Sequence, residues 1–396
     1  MVNYVFLSVY FYSVPNLRFS SFADPFRIYT LKEVLQRISF PVTVDENKLY
    51  YQIGIRSHSK GIFYKEAEIG RQIGNKRIFW IEPNCLILNI VFAWEQAVAK
   101  TSEKEVGMVA SHRFPMYKVL NNSLDYIVDF FKTEKGKQLL QMASPGGAGR
   151  NKTLNQDFFL NSKIYLPSLN EQLKTSELIE LIEDRIETQI KIINDLVLQK
   201  KCIISSLLKS VQDNEKIMLK DILFDYNIKT TINNEYPVLS STASGMYLQS
   251  EYFNKEASSD NTIGYKIIPR GYCTYRSMSD TGLFTFNMQE LVEKGIVSPA
   301  YPVFSANDDY INEFIILYLN NSSYIKKQIL ELKSGGTRFA LPFSTLCTLK
   351  IPKLDKEKQL SLIKTITAFE RKIENEEMIL KALHQQKNFL LNNMFI

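Results

Sequence analysis

Cysteine and histidine are scarce, four and three in 396 residues. Cys85, Cys202, Cys273 and Cys347 are widely scattered, with no CxxC spacing and no histidine at ligand spacing. This pattern argues against a zinc site or a disulfide framework and suits four reduced thiols in a cytosolic protein. With only His58, His112 and His384, a His-rich metal or triad site is not expected, and His384 falls inside a helical repeat. Catalytic signatures are missing too: no GxSxG, HExxH, Walker A or GxGxxG, and no Asn or Asp followed by Pro-Pro and an aromatic. Long apolar runs are absent. Residues 5–12 (VFLSVYFY) are too short to cross a bilayer, and no basic residue precedes them as in a signal peptide. Residues 1–13 read as an N-terminal extension, an edge strand or a disordered tail. Charge of one sign is only mildly in excess: 48 Lys and Arg against 42 Asp and Glu give +6, which permits an anionic partner without requiring one.

Hydrophobic content of 45% and charged content of 23% place the chain among globular proteins, and its length predicts two or three domains. The sequence also repeats itself. Asp125-Tyr126-Ile127 recurs as Asp309-Tyr310-Ile311, at 309 − 125 = 184, and Pro167 answers Pro352 at 185. Phe114-Pro115 answers Tyr301-Pro302, and GGAGR (residues 146–150) faces SGGTR (334–338). Ordered anchors at this long period indicate a duplicated domain rather than a solenoid.

Two long helices are the most legible elements. Ile179, Ile182, Ile186, Ile193, Leu196, Ile203 and Leu207 step by threes and fours, with Gln189 and Lys200 in the gaps. Ile366, Phe369, Ile373, Leu380, Leu383, Leu390 and Met394 carry the same seam, with Glu376 and Lys387 in its gaps. Adding 187 to each first-helix position gives its counterpart. This is the a/d pattern of a coiled coil, and a polar seam residue costs stability while fixing register and partner. The two helices are therefore expected to pair with each other as an antiparallel coiled coil, an intermolecular pairing being the alternative. At 1.5 Å per residue each seam is about 45 Å long. The segments between read as mixed α and β: residues 77–94 and 264–277 suit strands, while 125–143 and 309–332 have helical periodicity.

Binding is better supported than catalysis. Glycines beside Arg150 and Arg338 permit close backbone approach to phosphate or a base edge, and Lys152 and Lys333 add charge beside those loops. Without the Lys-Ser/Thr of a P-loop they are not phosphate cradles of that kind. Arg270, Tyr272, Tyr275 and Arg276 interleave cations with aromatics, as do Arg113 and Lys118 in SHRFPMYK. Glu46-Asn47-Lys48 has a nuclease-like Glu-x-Lys spacing, common by chance in a Lys-rich chain.

VPNLRFSSF (residues 14–22), GGAGR ahead of IYLPSLNEQ, GGTR ahead of LKIPKLDKEKQ, and the Leu-x-x-x-Lys-x-x-Leu-Leu helix ending at 383–391, looser at 196–208, form an ordered set. From about residue 14 onward the layout resembles the specificity (S) subunit of type I restriction–modification systems. Ser168 and Lys353 stand where that pattern has a second proline. The resemblance implies an α+β chain with a pseudo-two-fold repeat: target recognition domains at 14–166 and 213–352, a central coiled-coil helix at 167–212, and a C-terminal one at 353–396. It implies that each domain reads half of a bipartite site in double-stranded DNA, while the helices set the spacer and dock two methyltransferase (M) subunits. Restriction (R) subunits would join through the complex. S-adenosylmethionine, ATP and Mg would be bound by those partners and no cofactor by this chain, in a bacterial or archaeal cytoplasm. A coiled-coil adaptor with duplicated protein-binding heads is the alternative from the residues alone.

Overall fold

Residues 169–210 contain neither proline nor glycine, and they form one 42-residue helix, Leu169–Ser210. A second, 39-residue helix is Lys356–Met394. Both belong to a computed structural model that describes residues 14–146, 152–252, 261–332 and 339–396; the extension at 1–13 lies outside them. The chain divides into unit 1 (1–190 and 378–396) and unit 2 (191–377), so each unit holds part of both helices.

Within each unit those helix segments pack on one another. In unit 1, Ile179, Ile182 and Ile186 share a core with Leu383, Leu390 and Met394; in unit 2, Ile204 and Leu208 share one with Leu362 and Ile366. Glu183 accepts from Lys387 at 2.6 Å in unit 1, and Glu370 from Lys200 at 2.6 Å in unit 2. Residue numbers in both pairs sum to 570, as an antiparallel register requires. Adding 187 to 183 and 200 gives 370 and 387, so the two ion pairs are one contact made twice. Gln189 and Glu376 sit at equal depth, each 8% exposed. Ile193, Leu196, Ile203, Leu207, Phe369, Ile373 and Leu380 are half-buried. Ile204, Leu208, Leu362 and Leu391, outside the a/d seam, are buried as well. Packing of the heads on the helices explains this, because it widens the apolar face beyond a two-helix stripe.

The two heads have the same topology. In unit 1, β1 (Leu35–Ile38), β2 (Leu86–Leu88), β3 (Val98–Lys100) and β4 (Met116–Val119) form an antiparallel sheet in the order β1-β4-β2-β3. In unit 2, β5 (Leu223–Asp225), β6 (Cys273–Tyr275), β7 (Phe286–Met288) and β8 (Val303–Ala306) take the order β5-β8-β6-β7. A second ladder joins Ile78–Trp80 to Val109–Ser111 in unit 1 and Lys266–Pro269 to Lys294–Val297 in unit 2. The strands leading into the long helices, Lys163–Leu166 and Lys350–Pro352, pair with Arg27–Thr30 and Lys216–Met218.

Each expected helix after the sheet is broken in two. In unit 1 they are α1 (Leu124–Lys132) and α2 (Glu134–Met142); in unit 2, α3 (Asn312–Asn321) and α4 (Ser323–Glu331). Thr133 turns the first corner: its hydroxyl donates to the Phe130 carbonyl at 2.7 Å and accepts from the Gly136 N–H at 3.1 Å. Gly136 is required there, since a Cβ would lie 2.2 Å from the Phe130 oxygen. Ser322 caps the second corner, accepting from the Ile325 N–H.

Two repeat anchors shift in register. Asp125-Tyr126-Ile127 lies inside α1, whereas Asp309-Tyr310-Ile311 precedes α3. The true counterpart of Ile311 is Ser123, at 311 − 123 = 188. Both are N-caps, and both N–H groups donate to a buried glutamine: Ser123 to Gln172 Oε1 at 3.0 Å and Ile311 to Gln359 Oε1 at 2.9 Å. Gln172 Nε2 donates to the Pro167 carbonyl and Gln359 Nε2 to the Leu354 carbonyl, each at 3.0 Å. Pro167 therefore corresponds to Leu354, at 187, and not to Pro352.

Candidate nucleic-acid interface

The candidate residues divide by what already occupies them. Arg150, Lys333 and Arg338 lie outside the described residues. Lys152 is half-buried, its ammonium 4.9 Å from the centre of the Trp94 ring. Arg113 is exposed on the turn before β4, and its carbonyl accepts from the Ile90 N–H at 3.0 Å. Lys118 is exposed on β4, opposite Gln36.

In unit 2, Arg270 is exposed but spends its Nε on Glu293 at 2.8 Å. Tyr272 is half-buried, its ring 4.9 Å from that of Tyr226 and 6.2 Å from that of Phe224. Tyr275 leaves the set. It is fully buried in β6, and its hydroxyl donates to the Leu341 carbonyl at 2.8 Å. Burial also pushes its phenol well above the usual range. The other two residues of β6, Cys273 and Thr274, are buried too, so β6 faces core on both sides and the period-2 logic of a surface strand does not apply. Tyr275→Phe should cost about 1 kcal/mol, the usual net value of one hydrogen bond, and leave ligand affinity unchanged in a titration.

Arg276, next along, is exposed and lines a concavity with Ser240, Thr242, Ser279, Asp280, Thr281 and Tyr301. Asn287 stiffens one wall, donating to Ser241 Oγ at 2.8 Å and the Thr242 carbonyl at 2.9 Å. Arg276 makes no ion pair with a described residue, and its guanidinium, beside hydroxyls and one carboxylate, can donate to a base edge or an anion.

Unit 1 has a different concavity, which the sequence did not signal. Arg37, Arg77 and His112 line it with Ser39, Gln156 and Phe114, and no carboxylate among the described residues does. Arg37 stands on β1 opposite Tyr117. Arg77 precedes the strand Ile78–Trp80, and its carbonyl accepts from the His112 N–H at 3.2 Å. These residues come from segments some 35–40 positions apart in the chain, and only strand pairing brings them together.

Both units thus present one sheet order, one helix pair and one buried glutamine beneath different surfaces. This is the fold of type I restriction–modification S subunits. Three solved structures share it across nearly the whole chain, while no protein-family profile matches. One is the HsdS subunit from Thermoanaerobacter tengcongensis, 13% identical, with a TM-score of 0.53 over 93% of this chain and 96% of that one. Another comes from work on complex assembly and conformational transition of the type I R-M system: 14% identity and a TM-score of 0.62 over 93% and 97%. A third is the type I S subunit from M. genitalium, 13% identical, with a TM-score of 0.50 over 97% and 99%. Among the described residues, no helix is long and apolar enough to cross a membrane.

Proposed function

We propose that this chain is the DNA-specificity subunit of a type I restriction–modification complex. One observation carries the reading: the heads repeat one topology while equivalent surface positions differ in chemistry. Arg37 faces Tyr117 in unit 1, and Asp225 faces Phe304 at the same place in unit 2. Two words read on one scaffold would diverge in this way. Each head reads one half of a bipartite site; the helices set the spacer and dock two methyltransferase subunits, through which restriction subunits act in the cytoplasm. Arg113, Lys118, Arg150 and Lys152 serve the first half-site, and Arg270, Tyr272, Arg276, Lys333 and Arg338 the second. Phosphate contacts hold the chain on the duplex and base contacts specify it.

Chemistry belongs to the partners in this reading. The purified chain with labelled S-adenosylmethionine should transfer no methyl group. Methylome sequencing of cells expressing it with its methyltransferase partner should give a bipartite N6-methyladenine motif. Charge reversal at Arg150 and at Arg338 should each weaken a different half of that motif. A single contiguous motif, or the same half altered by both changes, would refute the two-reader arrangement.

A further inference from the structure

We infer that the Arg37–Arg77–His112 concavity of unit 1 is a phosphate site, and that it holds a phosphodiester group of the DNA backbone. The second half of this statement rests on the function proposed above. Three observations carry it. The two guanidiniums and the imidazole converge from an edge strand, a strand start and a turn, and all three are exposed. Among the described residues no carboxylate lines the concavity, and none of the three side chains makes an ion pair with one. By contrast Arg18 is spent on Glu171 at 2.7 Å, and Arg270 on Glu293. Two unneutralised guanidiniums around one hollow repel each other and are relieved by an anion, which their planar forks grip by paired N–H donors. Ser39 and Gln156 at the rim can add neutral hydrogen bonds to the same group.

The site is private to unit 1. Arg37 is replaced in unit 2 by Asp225, which would repel a phosphate. Phe114-Pro115 aligns with Tyr301-Pro302 at 187, so His112 is replaced by Pro299, with no side-chain donor. Unit 2 offers instead a hollow in which Arg276 stands among hydroxyls and the Asp280 carboxylate. In this respect the heads grip DNA unequally: unit 1 makes a backbone contact that unit 2 lacks.

The full chain, wild type and as the double variant Arg37→Ala/Arg77→Ala, would be titrated against a labelled duplex by anisotropy from 50 to 300 mM KCl. Both proteins would be checked for equal thermal midpoints. Each neutralised phosphate adds about 0.9 to the salt slope, so the variant should lose about 0.9 from it, with about tenfold weaker binding at low salt. Sequence preference between duplexes should not move, because phosphate contacts position without reading. An unchanged slope in a variant that still binds DNA would overturn the backbone assignment alone. If the wild type bound no duplex at any salt, the proposed function and the backbone assignment would both fall. Tripolyphosphate then judges the anion site by itself. Binding by wild type that the variant lacks upholds it, and no binding by wild type overturns it.

Discussion

Gln172→Leu is expected to destabilise unit 1 by about 2–6 kcal/mol, and Gln359→Leu to do the same to unit 2. Each glutamine is essentially inaccessible, at 1% and 0% exposure, and each closes two backbone gaps at once. It accepts the N–H at the start of the helix that follows the sheet, and it donates to a carbonyl where the long helix begins. Leucine fits the volume but orphans both backbone groups, each at about 1–3 kcal/mol. Tryptophan fluorescence separates the units, because the only two tryptophans, Trp80 and Trp94, belong to unit 1. In urea, Gln172→Leu should lower the midpoint seen by fluorescence. Gln359→Leu should lower one seen by circular dichroism and leave the fluorescence midpoint in place. Equal fluorescence shifts from both changes would mean that the two hubs do not act within separate units.

The second large effect concerns pH. Asp129 is buried on α1, where it accepts from Lys132 at 2.8 Å; Lys132 also reaches Glu183 at 3.0 Å, and Glu183 takes Lys387. Burial pushes the Asp129 carboxyl up to about 6, with Lys132 opposing that rise. Glu183 behaves oppositely: burial works against its charge, but Lys132 and Lys387 hold it below the usual range. For a carboxyl raised on folding, the contribution to stability is full below the unfolded value near 3.8 and is lost as pH rises through about 6. A rise of about 2 pH units corresponds to roughly 3 kcal/mol. Asp129→Asn should therefore match wild type near pH 4 and exceed it in fluorescence-detected urea stability at pH 7. Taking the difference between the two proteins at each pH removes the opposing Glu183 profile. A variant less stable than wild type at pH 7 would show that Lys132 outweighs desolvation. The repeat already hints at the direction: at an offset of 188, Asp129 and Lys132 correspond to Leu317 and Asn320, so unit 2 manages without the buried pair.

The long helices were legible because a three–four spacing over some thirty residues has few other interpretations, and the polar gaps fell at equal intervals. The antiparallel partner followed from those gaps. The charges that fix the register, Glu183 and Glu370, flank the seam and gave no such signal. The heads were legible only as mixed α and β. Their strands are two to four residues long and pair across wide separations, Leu35 with Val119 and Leu223 with Ala306. Local periodicity cannot report such pairings. Tyr275 misled because cations neighbour it in sequence, while β6 is buried on both faces. Arg37, Arg77 and His112 were missed for the converse reason, being neighbours only in space. The identical Asp-Tyr-Ile triplets misled by four positions, and the buried glutamines exposed the error.

The chain enters unit 1, leaves it for unit 2 and returns. Leu383, Leu390, Leu391, Met394 and Phe395 complete the core of unit 1, with the Phe395 ring 4.6 Å from that of Tyr126. They follow the 187 residues of unit 2 (377 − 191 + 1). On a ribosome adding about 5–20 residues per second, the first-made head waits about 10–40 s for its closing helix. Unit 2 has all its segments before then. In the nascent chain the second unit can close first, and the usual order of domains folding from the N-terminus is reversed.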